Sequence, residues 1–318
     1  MSPRHRRLLP WIALAVVYVV WGSTYLAIRI AVREVPPFGA GALRFFASGL
    51  AMAVIAAIVD RRHGWPTWRQ VADYSLVGVL LLAIGNVLVM WAEKTIPSGI
   101  AALIVGTTPL WLTFLDGLRP GGQRWTPALW VGTLIGLGGV ALVARPEGGI
   151  QAGHWGAIIA LQFGTISWAV GSLYAQSVPA RLPVFTASAI EMLAGSVALF
   201  FESLVLFRDD WGAFRAASAN TWLSLGYLVV FGSLVGFTAF AYALNELPAT
   251  SVGTYAYVNP VVAVILGRVI LKEALTPGLL VGGILILASV LITTRARRPR
   301  RREPVRADPS PLTAAENA

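Results

Sequence analysis

The sequence predicts an all-α membrane protein, with ten transmembrane helices arranged as two inverted five-helix repeats. Three observations carry that prediction. Of the 318 residues, 56% are hydrophobic and 13% charged, whereas soluble domains carry about 25% charged residues. Apolar runs long enough to cross a hydrocarbon layer of ~30 Å recur along the whole chain. Prolines and short motifs also recur at near-constant offsets of about half the chain.

The first span covers 9–31, after a short tail of residues 1–8. Its opening, "RHRRLLPWIALAVVYVVWGSTYLAI", starts like a signal peptide. The apolar stretch is too long, however, and no small-x-small cleavage site follows promptly, so it reads as an uncleaved span. Breakers then separate spans at 38–59, 74–92, 97–116 and 127–144. The connectors are short and rich in Pro, Gly or charge: "REVPPFG", "DRRHGWPTWRQ", "EKTIPSG" and "RPGGQRWTP". After "RPEGG" a second series begins, at 155–176, 184–206, 221–244, 248–271 and 276–294, punctuated by "ARLP", "NELPAT" and "KEALTPG". Residues 295–318, rich in Pro, Arg, Ala and Glu, read as a disordered basic tail.

Charge gives orientation. With ten spans, both termini lie on one side. That side carries sixteen Lys and Arg against six on the other, which places both ends in the cytoplasm of a cell inner membrane. The bias sits in the tails; without them the two sides are equal. The formal net charge of +10 suggests nucleic acid. Its concentration in tails beside spans instead reads as topology signal and anionic-lipid contact. There is no cysteine, which excludes disulfides, thiolate metal sites and a thiol nucleophile. His5, His63 and His154 all fall in tails or connectors, so no metal site and no cofactor is expected.

The repeat is read by alignment. "IPSGIAALIVGTTPLW" set beside "LPATSVGTYAYVNPVV" pairs Pro97 with Pro248 and Pro109 with Pro260, both at offset 151. "TPALWVG" from Thr126 and "TPGLLVG" from Thr276 share five positions at offset 150, and Trp21 and Trp168 lie 147 apart. The copies are therefore 9–144 and 155–294. Five spans is an odd number, so the second copy enters from the opposite face. Inverted repeats of this kind are the architecture of alternating-access transporters, with the substrate near the midplane. A duplication with a purely structural outcome is the alternative. Pro109 and Pro260 fall near mid-depth, each removing a helix hydrogen bond and displacing the carbonyl four residues back, at Val105 and Ala256. That describes either a kinked helix lining a cavity or a kink satisfied by neighbouring hydroxyls.

With these residues in view, the chain resembles the EamA-type families of the drug/metabolite transporter superfamily. The resemblance rests on "WGSTYLAIRIAVREVPPFGAGALRFFASG", "EKTIPSGIAALIVGTTPLW", "GLGGVAL" and "ELPATSVGTYAYVNPVVAVILGRVILKEALTPGLLVGGILIL", and covers about 9–294. It implies ten helices, a central cavity lined largely by spans 1–4 and 6–9, and export of a small metabolite, amino acid or drug-like solute. Glu273 fits an acidic residue common in these families, but Gln123 stands at the matching place of the first copy, so an ion-pair role there cannot be symmetric.

Candidate residues follow. Tyr18, Trp21, Gly22, Tyr25 and Arg29 share one broad face of span 1. Trp21 and Tyr25 read as an aromatic cavity wall or as helix packing. Arg44, a few residues inside span 2, either holds a substrate carboxylate or gate partner or snorkels to headgroups. The resemblance places an arginine there. Glu191 and Glu202 share a face of span 7; Glu191 is the candidate for proton coupling, or else a packed carboxylate. Asn86, Thr107, Thr108, Tyr257 and Asn259 are mid-depth hydrogen-bonding groups suited to a polar solute or to bridging helices. Trp91, Trp168 and Tyr242 join the cavity by symmetry. Gly132, Gly136, Gly282 and Gly283 suit close helix approach between repeats, or between subunits of a homodimer.

No GxxxxGK[ST] loop is present, so transport would draw on a gradient. The expected partners are a small-molecule substrate and the bilayer, and no nucleic acid. A membrane-embedded enzyme acting on lipid-linked substrates is the rival class, but it needs paired acids, His or metal ligands at the interface, and the candidates are scattered charges such as Asp209 with Asp210, unaccompanied by His. A non-transporting scaffold or sensor is a third reading.

Overall fold

A chain of long continuous apolar runs satisfies its backbone in a bilayer by coiling each run into a helix. The structure, a computed structural model, describes residues 3–119, 126–143, 154–179, 181–247, 252 and 254–296. Gln123, Pro248 and residues 297–318 of the predicted tail lie outside them. Among the described residues there is no strand. Seven helices are long and apolar enough to cross a membrane, and three shorter apolar helices accompany them. In chain order they are α1 (Pro3–Ala31), α2 (Pro37–Val59), α3 (Trp68–Ala92), α4 (Ser98–Gly117), α5 (Pro127–Val143), α6 (Trp155–Ser177), α7 (Val184–Leu206), α8 (219–246), α9 (Tyr255–Ile270) and α10 (Pro277–Ala296).

Four elements differ from the sequence-based expectation, one of them α9, expected from residue 248 and described from Tyr255 onward, as Tyr255–Ile270. The helix at the N-terminus starts at Pro3 rather than residue 9; its membrane-compatible part is Leu8–Ala31. The third helix starts at Trp68, six residues early, because Thr67 opens a capping box. The Thr67 N–H donates to Gln70 Oε1 at 2.8 Å, and the Gln70 N–H donates to Thr67 Oγ1 at 3.3 Å. The fourth helix is interrupted at Gly106–Thr107, just before Pro109. There the Val105 carbonyl that proline frees accepts the Thr108 hydroxyl at 2.6 Å. Pro260, by contrast, sits inside an unbroken α9.

Two wide-turn stretches interrupt α3 and α8. Val79–Asn86 and Leu228–Val235 are π-helical, 149 positions apart. An i→i+5 ladder leaves some carbonyls turned outward. One from each stretch accepts a side chain of a crossing helix: Ser167 Oγ of α6 donates to the Leu80 carbonyl at 2.8 Å, and Trp21 Nε1 of α1 to the Gly232 carbonyl at 3.2 Å.

Small residues set the closest crossings, as expected where helices associate by packing rather than by expulsion of water. Helix α5 lies along α10. A Cβ added at Gly139 would stand 2.8 Å from the Gly282 carbonyl oxygen, and one at Gly282 2.7 Å from the Gly139 oxygen. Helix α7 crosses α3 still more tightly, since a Cβ at Gly78 would fall 2.1 Å from the Glu191 carbonyl oxygen. Ser196 of α7 donates to the Ala42 carbonyl of α2 at 2.9 Å. Helix α1 packs on α8 and α9, and α6 packs on α3 and α4.

Helix starts are closed from the other half of the chain. The Ser98 N–H donates to Glu273 Oε1 at 2.9 Å and the Gly99 N–H to Oε2 at 3.3 Å, with the Ser98 hydroxyl 3.0 Å from both oxygens. The Gly39 N–H donates to Asp209 Oδ2 at 2.9 Å. The Thr186 N–H and hydroxyl donate to Asp60 Oδ2 at 3.0 and 2.8 Å. The Ser218 N–H and Thr221 hydroxyl donate to Glu34 Oε2, both at 2.7 Å. Glu273, Asp209 and Asp60 satisfy first-turn N–H groups directly, whereas Glu34 binds the N-cap residue Ser218, whose hydroxyl accepts the Thr221 N–H at 3.4 Å; each carboxylate stands at the positive end of a helix dipole.

Asp60 and Asp209 sit near opposite ends of α2, whose 23 residues span ~34 Å, so their contributions should add. Asp60→Ala and Asp209→Ala should each cost about 0.5–2 kcal/mol, and the double variant their sum, read as thermal midpoints in detergent. Wild-type midpoints in both would refute the capping role. Glu34 is held below the ordinary glutamate range by the Ser218 N–H, then by the Thr221 and Ser218 hydroxyls. Its contribution is present above the unfolded-state pKa and is lost as pH falls through the lower, folded value. Glu34→Gln should therefore flatten the acid limb of the stability curve.

Candidate functional site

Between the helices lies a cavity with about 120 Å³ open to the centre of a water molecule. Helix α1 gives it Trp21, Thr24, Tyr25 and Ile28; α2 gives Arg44 and Phe45; α3 gives Leu82, Gly85, Asn86 and Val89. Ala102, Val105, Gly106 and Thr108 come from α4, and Gly164, Thr165 and Trp168 from α6. Gly232 and Phe237 come from α8, and Tyr255, Ala256, Asn259 and Pro260 from α9. No lining residue belongs to α5, α7 or α10.

Each wall has a local cause. Helix α1 approaches α9 closely because Gly22 carries no side chain; a Cβ there would meet Val262 Cβ at 2.6 Å and the Asn259 carbonyl at 3.1 Å. The Asn259 amide, oriented to match its neighbours, donates to the Tyr255 and Tyr18 carbonyls at 3.2 Å each. The Tyr18 hydroxyl bonds the Thr254 hydroxyl. Trp21 is fixed on three sides, stacked on Phe240 and edge-on to Phe237 and Tyr255. Gly236 leaves its indole room, since a Cβ there would stand 2.4 Å from Nε1. On the other side α3 meets α6 through Gly85 and Gly164; a Cβ at Gly164 would lie 2.9 Å from the Gly85 carbonyl.

Arg44 is the charged member of the lining. It is 4% exposed. Its Nε donates to Ser233 Oγ and its Nη1 to Asn86 Oδ1, both at 3.3 Å, and its guanidinium lies 4.8 Å from the Phe45 ring centroid. These partners are neutral, and no carboxylate pairs with it among the described residues. A buried cation held by long neutral hydrogen bonds keeps most of its attraction for an anion.

Among the residues singled out from sequence, the cavity gathers Trp21, Tyr25, Arg44, Asn86, Thr108, Trp168, Asn259 and Pro260. It does not gather Trp91, Tyr242 or Tyr257. Trp91 and Tyr242 are 37% and 40% exposed and stand outside the lining. The Tyr257 hydroxyl turns away and donates to the Val290 carbonyl of α10 at 3.0 Å. Pro109 stands behind Thr108 at the break in α4. Glu191 lies on α7, outside the lining, because α7 packs on α2 and α3 and α3 stands toward the cavity. Of the glycines at the crossings around the cavity, Gly22 is read from the sequence on the face of span 1, whereas Gly85, Gly164 and Gly236, like Phe237 and Tyr255, are not. Repetition of glycine at mid-depth in several spans was the available signal.

The chain matches the EamA-like transporter family over residues 9–145 and 154–295. It is 39% identical over 294 residues to a protein of Escherichia coli (strain K12) described as the inner membrane transporter YedA, covering 91% of this chain and 92% of that one. It is 28% identical over 292 residues to a probable terminal-alkyne amino-acid exporter of Streptantibioticus cattleyicolor, covering 89% and 92%. A solved crystal structure with 22% sequence identity superposes with a TM-score of 0.63, covering 90% of this chain and 96% of the other, and so shares its fold.

The α1–α9 crossing beside the cavity should be intolerant of a single methyl. Gly22→Ala should cost about 1–3 kcal/mol through overpacking, and the same substitution should cost much less in a Val262→Gly background, which lacks the Cβ it would meet. An equal cost in the two backgrounds, measured by thermal unfolding in detergent, would refute this contact.

Proposed function

Because the chain belongs to the EamA-like transporter family, we propose that this membrane transporter carries a small solute bearing a carboxylate, such as an amino acid, outward through the central cavity. The carrying observation is Arg44, a buried guanidinium in the cavity wall whose described partners are all neutral. A carboxylate would supply the missing charge, bidentate to the guanidinium. Trp21, Tyr25 and Trp168 form an apolar wall for the rest of the solute, while Asn86, Thr108 and Asn259 offer polar contacts. The named function of the Streptantibioticus relative supports both the amino-acid class and the outward direction.

Alternating access is the mechanism, with ten helices in two inverted five-helix repeats exchanging which face of the cavity is open. Several pairings support that reading. Helix α1 packs on α8 and α9 as α6 packs on α3 and α4. The π-helical stretches of α3 and α8 lie 149 positions apart. Asp60 closes α7 as Asp209 closes α2. The distribution of Lys and Arg supports cytoplasmic termini.

Proteoliposomes loaded with radiolabelled amino acids and sugars, with and without a pH gradient, test the function directly. Arg44→Ala should weaken the affinity for carboxylate solutes by about 10–100-fold, the worth of a charge-assisted hydrogen bond, and that for neutral solutes far less. Equal losses for both classes would overturn the role of Arg44.

A further inference from the structure

One helical turn beyond the cavity, on the side away from the N-terminus, lies a layer of charge. Tyr25, Val89 and Ala102 line the cavity, and four residues along their helices stand Arg29, Glu93 and Ser98. Ser98 carries the Glu273 cap. This end is tightly closed: Ala31, Val32, Glu93, Ile96 and Ser98 are all 0% exposed.

Glu93 is the anomaly in this layer. It stands in the connector just past α3, and neither carboxyl oxygen has a hydrogen-bond partner although both are buried. Arg29 donates to the backbone carbonyl of Glu93, not to its carboxyl, and its own buried Nε is also unpartnered. Glu273 is spent on Ser98 and Gly99. An ionised carboxylate buried without donors is very costly, so such a group stays neutral. Burial pushes the Glu93 carboxyl well up, Arg29 pulls it down less, and Glu273 adds to the rise. The other charged or titratable groups on the elements around it are Tyr25 of α1, Arg33 in the connector past α1, Lys94 beside it, Arg268 near the end of α9 and His154 at the start of α6.

We propose that the Glu93 carboxyl is a proton-binding site whose neutral form holds this end of the cavity shut and whose ionised form opens it. In the closed arrangement the carboxyl keeps its proton. On opening, the proton passes to water, and the carboxylate gains hydration and the free Nε of Arg29. The closed form binds one more proton than the open form, so opening is favoured as pH rises, by at most about tenfold per unit. The site gives the transport reading its proton-linked gate, and assigns that role to Glu93 rather than to Glu191, which lies outside the cavity wall.

The absence of cysteine permits a test free of background labelling. Ile96→Cys places one thiol in the closed end. Its rate of modification by a maleimide is measured in nanodiscs, where both faces are reachable, and divided at each pH by the rate in detergent-unfolded protein. The normalised rate should rise several-fold or more between about pH 5 and pH 9. Added to that chain, Glu93→Gln should make it low and flat, while Glu93→Asp and Glu191→Gln should keep the rise. A rise that survives Glu93→Gln, or a flat profile in the parent, overturns the proposal. The readout uses no solute, so a failure to find transport leaves it standing. Solute flux beside a flat profile removes the proton site and leaves the transport reading.

Discussion

A helix that starts inside or against a bilayer exposes N–H groups that nothing in hydrocarbon can bond. In this protein four helix starts draw acids from far along the chain, while others, such as that of α3, are capped locally. The starts of α2, α4, α7 and α8 are each closed by a carboxylate from the opposite half of the sequence. The need to close a helix end thereby becomes the tie between halves. The connectors that carry Glu34, Asp60, Asp209 and Glu273 each deliver an acid to a fixed place.

The cavity follows from a second constraint. Helices associating without a hydrophobic drive approach closely only at small residues. Gly22, Gly85, Gly164 and Gly236 let backbones or an indole into contact around the cavity, and larger side chains hold the helices apart between these points. The π-helical stretches of α3 and α8 offer carbonyls to Ser167 and Trp21 at the same level. Close crossings and wide turns thus occur together at mid-depth, where Arg44 meets Asn86 and Ser233.

Much of this was legible in the sequence, for reasons that can be named. Long apolar runs bounded by Pro and Gly located the helices. Arg44 was conspicuous because an arginine deep in an apolar run demands explanation. The capping box of Thr67 and Gln70 was equally visible in "TWRQ", but hydropathy alone placed the start of α3 six residues too late. The π-helical stretches leave no comparable mark, since "VLLLAIGN" reads as ordinary helix. Side-chain direction was the least legible property. Tyr257 and Asn259 are two residues apart, yet one points to α10 and the other to the cavity. Glu93 stands in the connector "EKTIPSG", and nothing in that stretch announces its burial, since its contact with Arg29 of α1 joins residues 64 positions apart.

The contact of α5 with α10 bears on motion. Carbonyl oxygens of Gly139 and Gly282 stand where each other's missing side chains would be, and neither helix reaches the cavity. Two backbones meshed so closely cannot slide past one another without collision. Under the proposed alternating access the pair would therefore serve as a keel that moves as one piece, and substitution along its outer flank would alter durability while leaving the choice of cargo untouched.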